Sequence, residues 1–211
     1  LSNEEIKNNV QKGGFIMITS THLLISHIIF NHCSKKFNIK LNKFNFSYGN
    51  IKPDFVKDRS NHCHCLDESI DIVCEYYNKL VNTRMSVKEY SVTLGMICHF
   101  ICDYFCLYHT EGYKDKNLFQ HFIYELRLHF IFIALLLFKG FKIIPDIYIP
   151  EKSIPAVIYY MRKKYDKENK SFTRDITYAI STATIAADII ANCENPEYFY
   201  RGTDPIPFSV K

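Results

Sequence analysis

Apolar residues recur every three to four positions along most of this chain, and that period limits its possible folds more than any other feature. The clearest stretch runs from Tyr90 to Leu107. Ser86 and Glu89 open it as an S-x-x-E capping box, in which each side chain accepts the other residue's backbone N–H. A second stretch, Thr19 to Cys33, is dominated by Leu23, Ile25, Ile28, Ile29 and Phe30. Ile70, Ile72, Val73, Tyr76, Tyr77 and Leu80 mark a third, behind Asp67 and Glu68, where the positive end of a helix favours acids. Asn117 to Phe138 is a fourth, stopped by Gly140; Ser153 with Pro155 opens a fifth to about Lys164; Thr173 to Cys193 is the last. A 3.6-residue period over segments this long predicts an all-α, compact multi-helix domain with no strand pair. With only 7 Gly and 7 Pro in 211 residues, a sandwich has too few turn residues.

The remaining stretches are read as connections. Ser2 and Glu5 suggest a short polar helix to about Gln11, ended by Gly13-Gly14. Residues 34–64 carry Gly49, Pro53 and scattered Asn without a period, and read as one long loop that something must hold in place. The tail after Asn195, with Pro196, Pro205 and Pro207, reads as extended surface chain. The organisation expected is a polar N-terminal extension over residues 1–16 and a single domain over 17–211, Met17 standing just ahead of the first patterned segment.

Composition excludes several classes. At 47% hydrophobic and 23% charged residues the chain is neither disordered nor collagen-like. A net charge of +4, spread along the chain, gives no footing for nucleic acid. The first 14 residues hold no apolar run of signal-peptide type. The longest apolar stretch, Leu128 to Phe138, is far short of the roughly 20 residues of a membrane span, so no transmembrane helix is expected. Eight Cys would allow four disulfides. Cys98, Cys102 and Cys106, however, fall on one helical stripe among apolar residues, which reads as buried reduced thiols. A reducing cytoplasm is the compartment this favours, although a trimmed secreted form would read the same.

The histidines carry the chemistry. His99 and Asp103 are four apart and project from one helix face, a spacing suited to clasping a metal ion. His121 and Glu125 repeat it on the next helix. His109 lies ten residues beyond His99, about 1000° of helical rotation, so on a continuous helix it points away from the His99 face, towards a neighbouring ion. Carboxylates are costly in an apolar core unless compensated, and metal is a usual compensation.

Taken in order, Thr21-His22, Gly49-Asn50-Ile51-Lys52-Pro53-Asp54, His64 with Asp67-Glu68-Ser69, His99-x-x-x-Asp103, His109 and His121-x-x-x-Glu125 resemble the zinc-dependent phospholipase C family. That resemblance implies a helical fold of the phospholipase C and zinc-dependent nuclease type, with zinc ions in a cleft between helices. It implies hydrolysis of a phospholipid, or another phosphodiester, to diacylglycerol and a phosphorylated head group. By position, one zinc would use Asp54, His64, His99 and Asp103, and a second His109, His121 and Glu125. Asp54 would act as general base and Asp103 would bridge ions. A third zinc in complete members uses the residue matching His22, the bridging carboxylate and the N-terminal residue, a Trp. This chain has no Trp, and 21 residues precede His22, so two ions are expected.

Some alternatives stay open. His62 competes with His64, and Cys63 or Cys65 is a further ligand candidate. His27, His32 and His129 lack a partner at useful spacing and read as structural or solvent-facing. A single-strand nuclease on the same fold would need basic residues interleaved with aromatics near the ligands. A divergent module that binds zinc or lipid without turnover is the other alternative.

Overall fold

The computed structural model describes residues 3–36, 41–55, 64–110, 117–139, 143–144, 153–193 and 199–200. The elements are α1 (Asn3–Lys36), α2 (Lys43–Gly49), α3 (Lys52–Phe55), α4 (Leu66–Asn82), β1 (Met85–Ser86), α5 (Val87–Asp103), α6 (Leu118–Ala134), α7 (Ile154–Tyr165), α8 (Phe172–Asn192) and β2 (Phe199–Tyr200). The fold is all-α, as the apolar period predicts.

Local chemistry explains most helix starts. The Ser86–Glu89 capping box forms in both directions. Ser153 and Ser171 cap α7 and α8 by accepting from Ala156 and Arg174 N–H, and Asn117 caps α6 by accepting from Phe119 N–H. Each such cap is worth about 1 kcal/mol.

Three connections differ from the sequence expectation. Helix α1 runs straight through Gly13-Gly14; a helical glycine costs only about 1 kcal/mol against alanine, too little to stop a long helix by itself. The stretch 34–64 is not all loop, since α1 continues to Lys36 and α2 and α3 follow. Short helices like these carry no legible period, because tertiary packing rather than propensity holds them. The tail contributes one short element, β2, pairing in parallel with β1 over two residues; the tail's other residues lie outside the described ones.

Helix α5 is the centre of the molecule, packed on α2, α4 and α8. From Tyr90 to Asp103 only Val92 is not fully buried. Helix α8 lies beside it with Ala179, Ala183, Ala186 and Ala187 buried, small side chains that let α1, α5, α6 and α7 approach. Phe46, Phe100, Phe105 and Phe132 fill the core, each contributing about 1.5–3 kcal/mol on burial. Asp188 ties α8 to α1 through His32 (2.9 Å) and Lys36 (2.5 Å).

Helix α6 bears on the expectation of no membrane span. The segment Phe119–Phe138 is long and apolar enough to cross a membrane by length and composition, 17% of it being buried. The expectation of no span counted only the uninterrupted run from Leu128, whereas hydropathy averaged over the whole helix absorbs Glu125 and Arg127. Length and composition do not by themselves make a span. On the inner side of α6, Glu125, Leu128 and Phe132 are buried in the helical core.

The thiols need two corrections. Cys33, Cys98 and Cys102 are free and buried as expected. Cys65, by contrast, is disulfide-bonded. Cys106 leaves the helical stripe because α5 ends at Asp103.

Candidate metal centre

Two glycines seat the first half of the site. A Cβ on Gly49 would stand 2.2 Å from the Val92 carbonyl oxygen, and one on Gly95 would stand 2.4 Å from that of Phe46. Backbone therefore meets backbone where α2 crosses α5. This contact is one helical turn before His99 and brings the Asn50 carbonyl onto its ring, where His99 Nδ1–H donates to Asn50 O at 2.8 Å. The Asn50 side chain is itself fixed by donating to Phe46 O. Helix α3 follows directly and carries Asp54. His64 stands just ahead of α4, whose start is pinned where Ser69 Oγ donates to Cys65 O (2.8 Å) and meets Tyr104 Oη (2.9 Å).

These elements converge. His99 Nε2 lies 3.2 Å from Asp103 Oδ2, 3.2 Å from His64 Nδ1 and 3.5 Å from Asp54 Oδ1. His64 Nδ1 lies 2.6 Å from Asp103 Oδ2 and 3.8 Å from Asp54 Oδ1. On the other side of Asp103, His22 Nε2 meets Oδ1 at 3.1 Å, and its ring stacks on His99 at 4.1 Å. The four residues expected for a first ion are thus brought together, with His22 beside them. His62 and Cys63 lie outside the described residues.

The second cluster forms where α6 faces the turn after α5. His121 Nε2 is 2.7 Å and His109 Nε2 3.4 Å from Glu125 Oε1. His109 is not on α5, so the rotation count does not apply. It sits on a separate 3-10 turn, Leu107–His109, and its ring lies 6.1 Å from that of His64. The position borders both clusters, since ligand atoms of His64, Asp103 and His109 also fall within 4.8 Å of one another.

A buried carboxylate on α8 holds this turn against α6. Asp175, 1% exposed, accepts from Leu107 N–H (3.0 Å), Tyr165 O–H (2.9 Å), the Tyr124 hydroxyl and Arg174 Nη2 (2.9 Å). Leu107 is two residues from His109, and Tyr124 adjoins Glu125. Sequence reasoning missed Asp175 because nothing local marks it; apart from the adjacent Arg174, its partners come from three other elements. It also missed Cys106, whose sulfur lies within 4.8 Å of ligand atoms of His109 and Glu125. Its i, i+3 spacing to His109 was the available signal. His129 and His32, without partners at helical spacing, bond instead across the fold to Thr21 and Asp188, and His27 bonds to Asn31.

The electrostatics are those of a cation site. Burial acts to raise Asp103, but His99, His109 and His22 hold it well below the ordinary carboxylate range. Burial opposes ionisation of Glu125 as well, and bonds from His109 and His121 outweigh it. Burial pushes His99 below its usual value, with His22 adding to this. Asp54 is raised, chiefly by burial. A neutral His99 that donates through Nδ1 turns the Nε2 lone pair into the cluster, the arrangement by which backbone carbonyls orient metal-binding imidazoles. His22 Nδ1 and Asp54 Oδ2 are buried with no hydrogen-bond partner among the described residues. The lone pairs that do converge, on His64 Nδ1, His99 Nε2, Asp54 Oδ1 and Asp103 Oδ2, need protons or a cation between them, and imidazole with carboxylate suits zinc.

This geometry defines a class: an all-α protein whose helices gather histidines and carboxylates into adjoining metal clusters. Within that class, the chain belongs to the zinc-dependent phospholipase C family, whose model matches residues 21–194. No curated protein and no solved structure matches it.

Proposed function

We propose that the protein is a zinc-dependent phospholipase C-type hydrolase that cleaves a phospholipid into diacylglycerol and a phosphorylated head group. The observation that carries this reading is the meeting of Asp54, His64, His99 and Asp103 from three separate segments, next to His109, His121 and Glu125. The first four would hold one zinc ion and the last three a second. His22 and Asp103 offer two ligands to a third. Bound zinc supplies Lewis acidity at the phosphate oxygens and an activated water near neutral pH.

The chain's own groups do the rest. Asp54 Oδ2, buried and without a partner among the described residues, is placed to accept a proton from attacking water. Asp103 is shared by His22, His64 and His99 and holds the three rings around it, His22 stacked on His99 and His64 edge-on to it. A cleft of about 330 Å³, lined by Asp67, His109, Thr110, Tyr159 and Arg162, opens beside His109. It gives a substrate access from solvent. Water adds to phosphorus, the bond from phosphorus to the glycerol oxygen breaks, and diacylglycerol leaves with a proton.

The test is release of phosphorylated head group from phosphatidylcholine and phosphatidylethanolamine vesicles by zinc-loaded protein, with single-stranded DNA as the competing substrate. D54N should lower turnover by about 10²-fold or more, the range of a lost general base; because Asp54 is also a ligand of the first ion, zinc content is measured on the same sample and turnover compared at equal zinc. Cleavage of DNA but not lipid would replace the reading with the nuclease. Zinc binding without turnover of either would leave a binding module.

A further inference from the structure

We propose that Cys106 is a ligand of the second metal ion, supplying a thiolate alongside His109 and Glu125. This rests on the metal-binding reading above and extends it to a residue outside the expected ligand set. Three observations carry it. The Cys106 sulfur, a His109 ring nitrogen and a Glu125 carboxylate oxygen lie within 4.8 Å of one another. A metal with bonds of about 2.0–2.3 Å to nitrogen, oxygen and sulfur brings tetrahedral ligands about 3.3–3.8 Å apart; His109 Nε2 and Glu125 Oε1 already stand at 3.4 Å, so a movement of the sulfur by at most about 1.5 Å closes the site.

The backbone also aims Cys106 at this position. Its N–H bonds to Asp103 O (2.9 Å), and its carbonyl accepts from His109 N–H (3.0 Å). These bonds make it the first residue of the turn that presents His109, and Asp175 fixes that turn at Leu107. Finally, Cys106 lines a cavity of about 40 Å³ together with Glu125, Asp103 and His22, which puts it on the wall that the two clusters share. Cys98 and Cys102, on α5, have no such grouping among the described residues.

Ligation changes the second centre's chemistry. Two imidazoles and one carboxylate leave a position open for water or substrate, whereas an added thiolate fills it. The second ion then acts mainly to hold the turn and α6 together and to place positive charge beside the first ion. As the sulfur–metal bond forms, the thiol proton leaves to water.

Cobalt(II) substitution tests this directly. Metal-free protein, kept reduced, is titrated with Co²⁺ and followed by absorption, alongside C106S and C106A. The expected result is a near-ultraviolet sulfur-to-cobalt charge-transfer band in the wild type that both variants lose. The variants should keep visible ligand-field bands, with the second equivalent of cobalt bound at least about tenfold more weakly, as for other losses around a metal site. Visible bands without a sulfur band, or a sulfur band surviving in C106A, would overturn the proposal and leave the metal reading standing. Absence of any cobalt binding would overturn both. Circular dichroism of C106S checks that the helical fold is retained, so a lost band reports the ligand.

Discussion

Replacing Gly95 with alanine separates two opposed expectations. Helix propensity alone favours alanine in a helix interior by about 1 kcal/mol. Packing opposes it, because the new Cβ would stand 2.4 Å from Phe46 O and 2.9 Å from both Asn50 N and Gly49 Cα. These are backbone atoms, so no side chain can rotate away, and α2 must retreat from α5 by about 1 Å to restore contact distance. Overpacking of this kind costs about 1–3 kcal/mol. The retreat also stretches the bond from His99 Nδ1 to Asn50 O, now 2.8 Å, to about 3.8 Å, beyond hydrogen-bonding range. A buried group left unpaired costs about 1–3 kcal/mol more. The sum, about 2–6 kcal/mol less the propensity gain, is a large share of a domain's stability. Urea unfolding of metal-free G95A should therefore show clear destabilisation, and calorimetry should show weaker zinc binding. A G95A protein as stable as the wild type, with unchanged zinc affinity, would refute the argument that this helix crossing seats His99.

Other outcomes follow from the same structure. D175A strips the acceptor from Leu107 N–H, Tyr124, Tyr165 and Arg174. It should cost about 3–5 kcal/mol, as when a buried charge loses its partner, and should weaken the second zinc more than the first, read by metal titration and thermal unfolding. E125Q should reduce bound zinc by one ion per chain while leaving the His99 cluster loaded, measured by elemental analysis after dialysis. The pH dependence of the metal-free protein is set partly by His109. Burial lowers its pKa, but Asp103 and Glu125 outweigh that and carry it to about 9. A histidine raised in the folded state stabilises fully below its unfolded value near 6.5, and that contribution fades as pH rises through about 9. Metal-free protein should thus lose stability across that window, and H109Q should flatten the slope.

Much of the fold is legible in the sequence where one segment decides its own structure. The capping box at Ser86 and Glu89, Ser153 ahead of Pro155, and the periodic segments behind α4 to α8 are all local signals, and the structure follows them closely. What could not be read is what distant parts decide together. Helices α2 and α3 exist because Gly49 meets Gly95, and no pattern within residues 34–64 announces that crossing. The end of α5 at Asp103 frees His109 and Cys106 from the helical count, and apolar residues that continue to Leu107 conceal it. The His99/Asp103 and His121/Glu125 spacings were visible because one helical turn enforces them. Asp175 was not, because its partners other than the adjacent Arg174 sit 10 to 68 residues away.

The central claim is that these clusters hold zinc for phosphodiester hydrolysis, and one measurement bears on it most directly. Zinc content per chain and head-group release from phospholipid vesicles should be determined on the same purified sample, before and after chelation. The account predicts two zinc ions per chain, release of phosphorylated head group, loss of both on chelation and return of both on adding zinc. Two bound zinc ions with no release from any common phospholipid would contradict it.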